Sequence, residues 1–434
     1  MNQTKSALAP TVPVPDEMNR FGLAAPTRSE RNNADIGRDF LELAFKMESG
    51  RDLPVLTRFE GPITVRTSGP MPASAATDLA RLLQRFRNEA GLDIHEVAGG
   101  PASINIEFVP RKAIQTTYDD VACFVVPRVT SWKEFRSGRN NGTLDWATLR
   151  QRDQVSVFIP ADSSAQEVRD CLHEEIAQAM GPLNDLFRLT DSVFNDDNFN
   201  TALTGFDMTI LRAFYAPELH SGMTQAQVAA KLPGILARVN PAGNHAAPTP
   251  QTKTPRAWIN AIRTALGVSG SLPRREAAAR QALATAQAQG WRDGRLAFSY
   301  FALGRLTLAR DPDTAIAAFT EAGRVYRSLP GGAIHAAHVD MRLAAYALSQ
   351  GEADKAMEIA NRTMPAVAAA ENAALMATLM LVKAEALDMK GRSREASAVR
   401  IDSRGWSRYG FGSDAQVKAR AAEISALAQR GNKS

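Results

Sequence analysis

Glu174-Glu175-Ile176-Ala177-Gln178-Ala179-Met180-Gly181-Pro182-Leu183-Asn184-Asp185 is the stretch on which the reading of this chain turns. Upstream and within it, Val168, Cys171, Leu172, Ile176, Ala179 and Met180 recur at helical spacing, which predicts a helix over about 165–180. Ser163 and Ser164 offer N-caps, and Gly181 offers a C-terminal stop. Glu174 and Gln178 stand at i and i+4 and so share one helix face. Gly181 allows a sharp turn, which is expected to bring Asn184 back over that face. Glu175 and Asp185 lie beside this group of polar side chains.

Before this helix the chain alternates strand and helix signals. Residues 40–45 read as a short helical start, and Ile63-Thr64-Val65-Arg66-Thr67 as a β-branched, alternating strand. Leu79, Leu82, Leu83 and Phe86 mark one face of a helix over 73–90. Residues 104–109, 122–126 and 154–159 read as three more strands, the first and last ended by Pro110 and Pro160. A sheet backed by helices follows, an α+β layer.

Residues 239–256 carry Pro241, Pro248, Pro250 and Pro255 with Gly243, a linker composition. Beyond them the chain is alanine-rich and helical, with self-similarity near a period of 40. Ala315, Ala356 and Ala396 sit at matching places in three such units, 41 and 40 residues apart. Ala302-Leu303-Gly304 resembles the small-large-Gly packing site of tetratricopeptide repeats. The expected organisation is a disordered tether over 1–35, an α+β domain over 36–238, a linker over 239–256 and an all-α helical-repeat domain over 257–434.

Composition narrows the function classes. Of 434 residues, 51 are basic and 46 acidic, a formal charge of +5 spread along the chain. A nucleic-acid footprint needs a clustered basic face, so no nucleic-acid partner is expected. No apolar run is long enough to cross a bilayer. Cys123 and Cys171 form no C-x-x-C pair, which excludes a cysteine zinc site and a thioredoxin-type motif. They read equally as two thiols or as one disulfide. The N-terminus has no charged start followed by an apolar segment, so no export signal is expected as written. G-x-S-x-G, Walker and dinucleotide motifs are absent.

The stretch from Glu174 resembles the metzincin signature H-E-x-x-H-x-x-G-x-x-H. Glu175, Gly181 and Asp185 match, while Glu174, Gln178 and Asn184 replace the three zinc-binding histidines. Starting one residue earlier, at His173, would place Ala177, Met180 and Leu183 at required positions, so that register is rejected and His173 reads as an ordinary surface histidine. Ser192-Val193-Phe194-Asn195-Asp196-Asp197 resembles the Met-turn of that fold, with Phe194 for Met. Leu203 through Tyr215 resembles its closing helix. From about Phe40 to Met223 the chain resembles an alphaproteobacterial family of no assigned activity, domain of unknown function 2927. Cys171 to Glu175, Gln178 to Gly181, Asn184-Asp185, Ser192 to Asp197 and Leu211 to Met223 carry that resemblance.

These resemblances imply a zincin-like α+β domain followed by a TPR-like helical domain. Because that family's members are mostly envelope proteins, they also imply a periplasmic or envelope location, with the cytoplasm as the alternative. The expected function is that of a non-catalytic pseudo-metalloprotease, a scaffold that binds protein partners through its cleft and its helical repeats. The alternative is a hydrolase working through Glu175 as catalytic residue with an atypical metal site. No cofactor is expected at Glu174, Gln178 and Asn184. Oxygen ligands of this kind suit calcium, magnesium or manganese more than zinc, which leaves a divalent metal open. Asp185, Asp196 and Asp197 would add charge there.

Overall fold

The computed structural model describes residues 29, 31–118, 121–244, 247–249 and 251–431. Most of the expected tether lies outside the described residues, but the first helix starts earlier than its apolar residues suggest. It is α1 (Asn33–Phe45), because the Asn32 side chain caps it by accepting from the backbone N–H groups of Ala34 and Asp35. Arg31 just before it pairs with Asp39 and Asp191.

Then follow β1 (Ile63–Ser68), α2 (Ala75–Ala90), β2 (Ile94–Glu96), β3 (Ile104–Val109), α3 (Arg111–Gln115), β4 (Phe124–Pro127), α4 (Trp132–Gly138), β5 (Val155–Pro160), α5 (Ala165–Met180), α6 (Gly205–Phe214) and α7 (Gln225–Val239). The strands form one sheet in the order β2-β1-β3-β5-β4. Only the edge strand β4 is antiparallel, pairing Phe124 with Phe158 and Pro127 with Val155. The region is therefore α/β, with parallel strands joined through helices, rather than the segregated α+β layer expected. Strand β2 escaped the sequence pattern because it is three residues long and leaves His95 and Glu96 exposed.

Period-two alternation explains how β5 is buried on both faces. Val155, Val157 and Ile159 join the core that α2, α5 and α6 share. Phe158 faces the other way, into an aromatic group with Phe124, Trp132 and Phe135.

After a 3₁₀ turn at Pro241–Asn244, the chain is helical: α8 (Arg256–Leu266), α9 (Leu272–Ala288), α10 (Gly294–Thr307), α11 (Pro312–Arg327), α12 (Ala333–Ser349), α13 (Ala353–Ala369), α14 (Ala373–Met389), α15 (Ser393–Phe411) and α16 (Asp414–Gly431). Consecutive helices from α8 to α15 pack on one another. Ala315, Ala356 and Ala396 fall at the same place in α11, α13 and α15, and each is fully buried. Small side chains there let paired helices approach closely. Gly304 does the same: a Cβ on it would lie 2.8 Å from the Phe319 ring. None of the helices among the described residues is long and apolar enough to cross a membrane.

The segment read as a linker is tied down. Arg295 donates to the Thr252 carbonyl and the Thr254 hydroxyl, and the indole N–H of Trp291 donates to Thr252 Oγ1 at 2.6 Å. The two regions also share an interface. Phe187 and Phe199 pack into the first helical core. Arg169 pairs with Glu371 at 3.1 Å, and Tyr409 donates to Asp78. His335 Nε2 lies 2.9 Å from Asp197 Oδ2.

Candidate functional site

The end of α5 forms the floor of a cleft of about 730 Å³. Strand β4 runs along one wall, where Phe124 and Val125 join Trp146 and Leu183 as apolar surface. Glu174, Glu175 and Gln178 from α5, Asp185 after the turn, Asp196 from the following loop and Glu48 from the segment after α1 supply the polar surface.

Several buried groups hold the end of α5 in place. Ser164 caps its start by accepting from the Glu167 N–H. At its end, Arg152 is 2% exposed and donates to the carbonyls of Gln178, Ala179 and Gly181 at 2.6, 2.7 and 2.6 Å. A helix terminus leaves its last carbonyls short of intrahelical partners; of these three, only the Gln178 carbonyl has a backbone donor besides, the Gly181 N–H. Burial lowers the Arg152 pKa to about 10, so it is still a cation at neutral pH. The Tyr215 hydroxyl adds a hydrogen bond to the Met180 carbonyl. Cys123 and Cys171 are joined in a disulfide, which ties the segment before β4 to the middle of α5.

Gly181 serves a different purpose from the turn expected of it. Its φ of 177° is ordinary extended backbone. What requires glycine is space, because a Cβ would lie 2.5 Å from the Phe214 ring. The loop from Ser192 to Asp197 is buried and organised by Asp207, which accepts from Val193 N–H and Thr204 N–H and from the Ser192 hydroxyl.

Of the three positions expected to converge, two do. Glu174 and Gln178 line the cleft, but Asn184 does not. The Asn184 side chain amide donates to the Glu42 carbonyl of α1 at 3.0 Å, and Asp185 takes its place at the cleft. Asp197 likewise turns away to His335, while Asp196 stays in the cleft and meets Arg263 of α8 at 3.4 Å. His173 is not a surface residue. It is 3% exposed, and its Nδ1 accepts from the Leu203 N–H. Burial and the nearby charges of Arg169 and Arg85 push its pKa well down, so it is a neutral structural group.

The carboxyl groups crowd one another. Burial, then the charges of Glu48 and Asp196, raise Glu174 to about 8. Burial, then Glu174, push Glu175 well above the carboxylate range, and burial with Glu48 does the same to Asp185. Neighbouring carboxylates in an apolar pocket cannot all ionise, so the group titrates as a unit and holds protons at neutral pH. Glu175 is 4% exposed, and its Oε2 is buried with no hydrogen-bond partner among the described residues. Among those residues no group of three or more His, Cys, Asp or Glu side chains is arranged to hold a metal ion. Sequence reasoning missed Glu48, which lies far upstream on an exposed turn with no motif around it.

Residues 33–234 match the family model described as a protein of unknown function (DUF2927). The match runs from α1 into α7 and contains every residue that lines the cleft. It leaves the helical region uncovered. No curated protein and no solved structure matches the chain.

Proposed function

We propose that this protein is a non-catalytic binding protein, a pseudo-metalloprotease of zincin-like fold joined to a TPR-like array. Its cleft takes a protein segment that presents a basic side chain or amide donors. The observation that carries this reading is the proton-holding carboxyl cluster of Glu174, Glu175 and Asp185 with Asn184 turned away from it. One carboxyl and one amide from the former ligand positions make a poor zinc site, whereas unpaired carboxyl oxygens between apolar walls suit a cationic or donor-rich ligand.

The zincin-like assignment is supported by α5 lying beneath an antiparallel edge strand, by the close turn at Gly181 and by the buried loop after it. The Cys123–Cys171 disulfide supports an oxidising compartment such as the periplasm. The packed hairpins of α10 to α15 support partner binding by the array.

A second reading rests on one observation, the raised pKa of two adjacent carboxyls. Such a pair can divide acid and base roles in hydrolysis, with Glu175 as the acting group. Titration calorimetry with an arginine-containing peptide separates the two readings. A ligand that ionises the cluster must release protons, so the heat should depend on the buffer at pH 7, and that dependence should shrink in Glu175→Gln. Peptide cleavage by the purified protein that is lost in Glu175→Gln would overturn the binding reading.

A further inference from the structure

The Cys123–Cys171 disulfide crosses from a wall of the cleft to its floor. Cys123 stands just before β4, is half-buried and lines the cleft. Cys171 is buried in the middle of α5, one turn before Glu174 and Glu175.

The two ends of β4 are fastened differently. Just past its far end, the Arg128 N–H donates to the Gln154 carbonyl at 2.9 Å. The Arg128 guanidinium donates to the Thr143 and Thr148 carbonyls and to the Thr148 hydroxyl. At the near end, the backbone of Val121, Ala122 and Cys123 makes no hydrogen bond to a described residue outside the sheet. There the disulfide is the tie to α5. The strand itself does not depend on it. Phe124 pairs with Phe158 in the sheet, and its ring lies 5.1 and 5.3 Å from those of Phe135 and Phe158.

We propose that the Cys123–Cys171 disulfide is a redox gate of the cleft: its reduction by a dithiol frees the near end of β4 from α5 and weakens the hold on the occupant. A dithiol entering the cleft meets Cys123, and exposed disulfides are the labile ones. Its thiolate attacks Cys123 Sγ, the S–S bond breaks, and Cys171 leaves with the electron pair and takes a proton from water. The second thiolate of the dithiol then attacks the reductant's own sulfur in the mixed disulfide. This releases Cys123 as a thiolate, which is protonated in turn. The protein gains two electrons and two protons, and the dithiol becomes a cyclic disulfide.

Two thiols keep van der Waals distance, so the near end of β4 moves off α5 and the Arg128 end is the hinge. Phe124 and Val125 then draw away from Glu174 and Gln178. A ligand that touches both the apolar wall and the polar floor loses a preformed site. Coupling is reciprocal, so a bound occupant disfavours reduction by the factor that reduction weakens binding. The gate rests on the binding reading of the cleft only for this effect on the occupant.

The test is hydrogen exchange of the full-length protein when oxidised, after dithiothreitol without denaturant, and in Cys123→Ser/Cys171→Ala. Maleimide labelling counts free thiols. Alanine suits the buried position and serine the half-buried one, and circular dichroism checks that the variant folds. The expected result is that both thiols become free in the folded protein and that amides of 121–126 exchange at least about tenfold faster, while those of β3 and α10 keep their rates. A labelled heptapeptide of one arginine among alanines, followed by fluorescence anisotropy, should bind the oxidised form and bind the reduced form and the variant at least about tenfold more weakly. Thiols that become free only in urea overturn the gate, as do amides of 121–126 that keep their rates once the thiols are free. Faster exchange with undiminished peptide binding overturns the release of the occupant. Absence of peptide binding by the oxidised form overturns the binding reading of the cleft instead, and exchange of 121–126 then decides the gate by itself.

Discussion

In the α/β region the space between sheet and helices is filled by Phe40, Phe86, Phe108, Phe194 and Phe214, all buried. The helical region also buries rings, among them Trp258, Phe298, Phe301 and Phe319, but its helix-to-helix contacts rest in addition on Ala279, Ala282, Ala315, Ala356, Ala377 and Ala396, all fully buried. Large rings around a twisted sheet fit irregularly. They leave a cleft in which carboxyl groups can be held without partners. Alanines let helices approach closely and evenly.

The difference can be broken first at Arg152. It sits in the α/β core and satisfies three carbonyls at the end of α5. Arg152→Ala is expected to cost about 3–5 kcal/mol, read from urea denaturation, because the Ala179 and Gly181 carbonyls lose the Arg152 donor in a buried place, while the Gln178 carbonyl keeps only the Gly181 N–H. A loss under about 1 kcal/mol would mean that the end of α5 relaxes to water and that the region is less tightly determined than its burial suggests.

The second test concerns pH. Folded Glu174 keeps its proton up to about pH 8, whereas the unfolded chain loses it near 4.5. Between these values the folded state binds more protons. Stability is therefore full below about 4.5 and falls as pH rises towards 8, by something on the order of 2 kcal/mol. Glu174→Gln should reduce that slope in urea midpoints taken at pH 5 and pH 8, with the remainder left to Glu175 and Asp185, and an unchanged slope would assign the loss wholly to those groups.

The smallest effect is expected in the helical region. Gly304→Ala in an exposed helix would gain about 1 kcal/mol. Here the added Cβ meets the Phe319 ring, so a loss of about 1–2 kcal/mol is expected, read as a lowered thermal midpoint. A gain would show that α10 and α11 are packed loosely enough to part.

Much of the architecture was legible from local pattern. Alternation marked β1, β3 and β5, and helical spacing marked α2 and α5. The recurring alanines marked the second helices of three hairpins. The boundaries that failed did so for lack of local signal. α1 starts at a polar cap rather than at Phe40, β2 is short and half-exposed, and the proline-rich segment around 239–256 looks like spacer but is held by Trp291 and Arg295 from beyond it.

At the cleft, Glu174, Glu175 and Gln178 were legible because i and i+4 on a helix must share a face, whatever surrounds them. Asp185 and Asp196, expected to add charge there, do line the cleft, but the directions of Asn184 and Asp197 and the arrival of Glu48 were not legible. Each lies in irregular chain, where side chain direction depends on the nearest available partner. The Glu42 carbonyl drew Asn184 away, and His335, from the other region, drew Asp197. The sequence alone thus determined the periodic elements and which residues share a helix face. Only the tertiary structure decided which carboxyl groups meet in the cleft, because proximity across distant segments is set by packing and leaves no trace in local spacing.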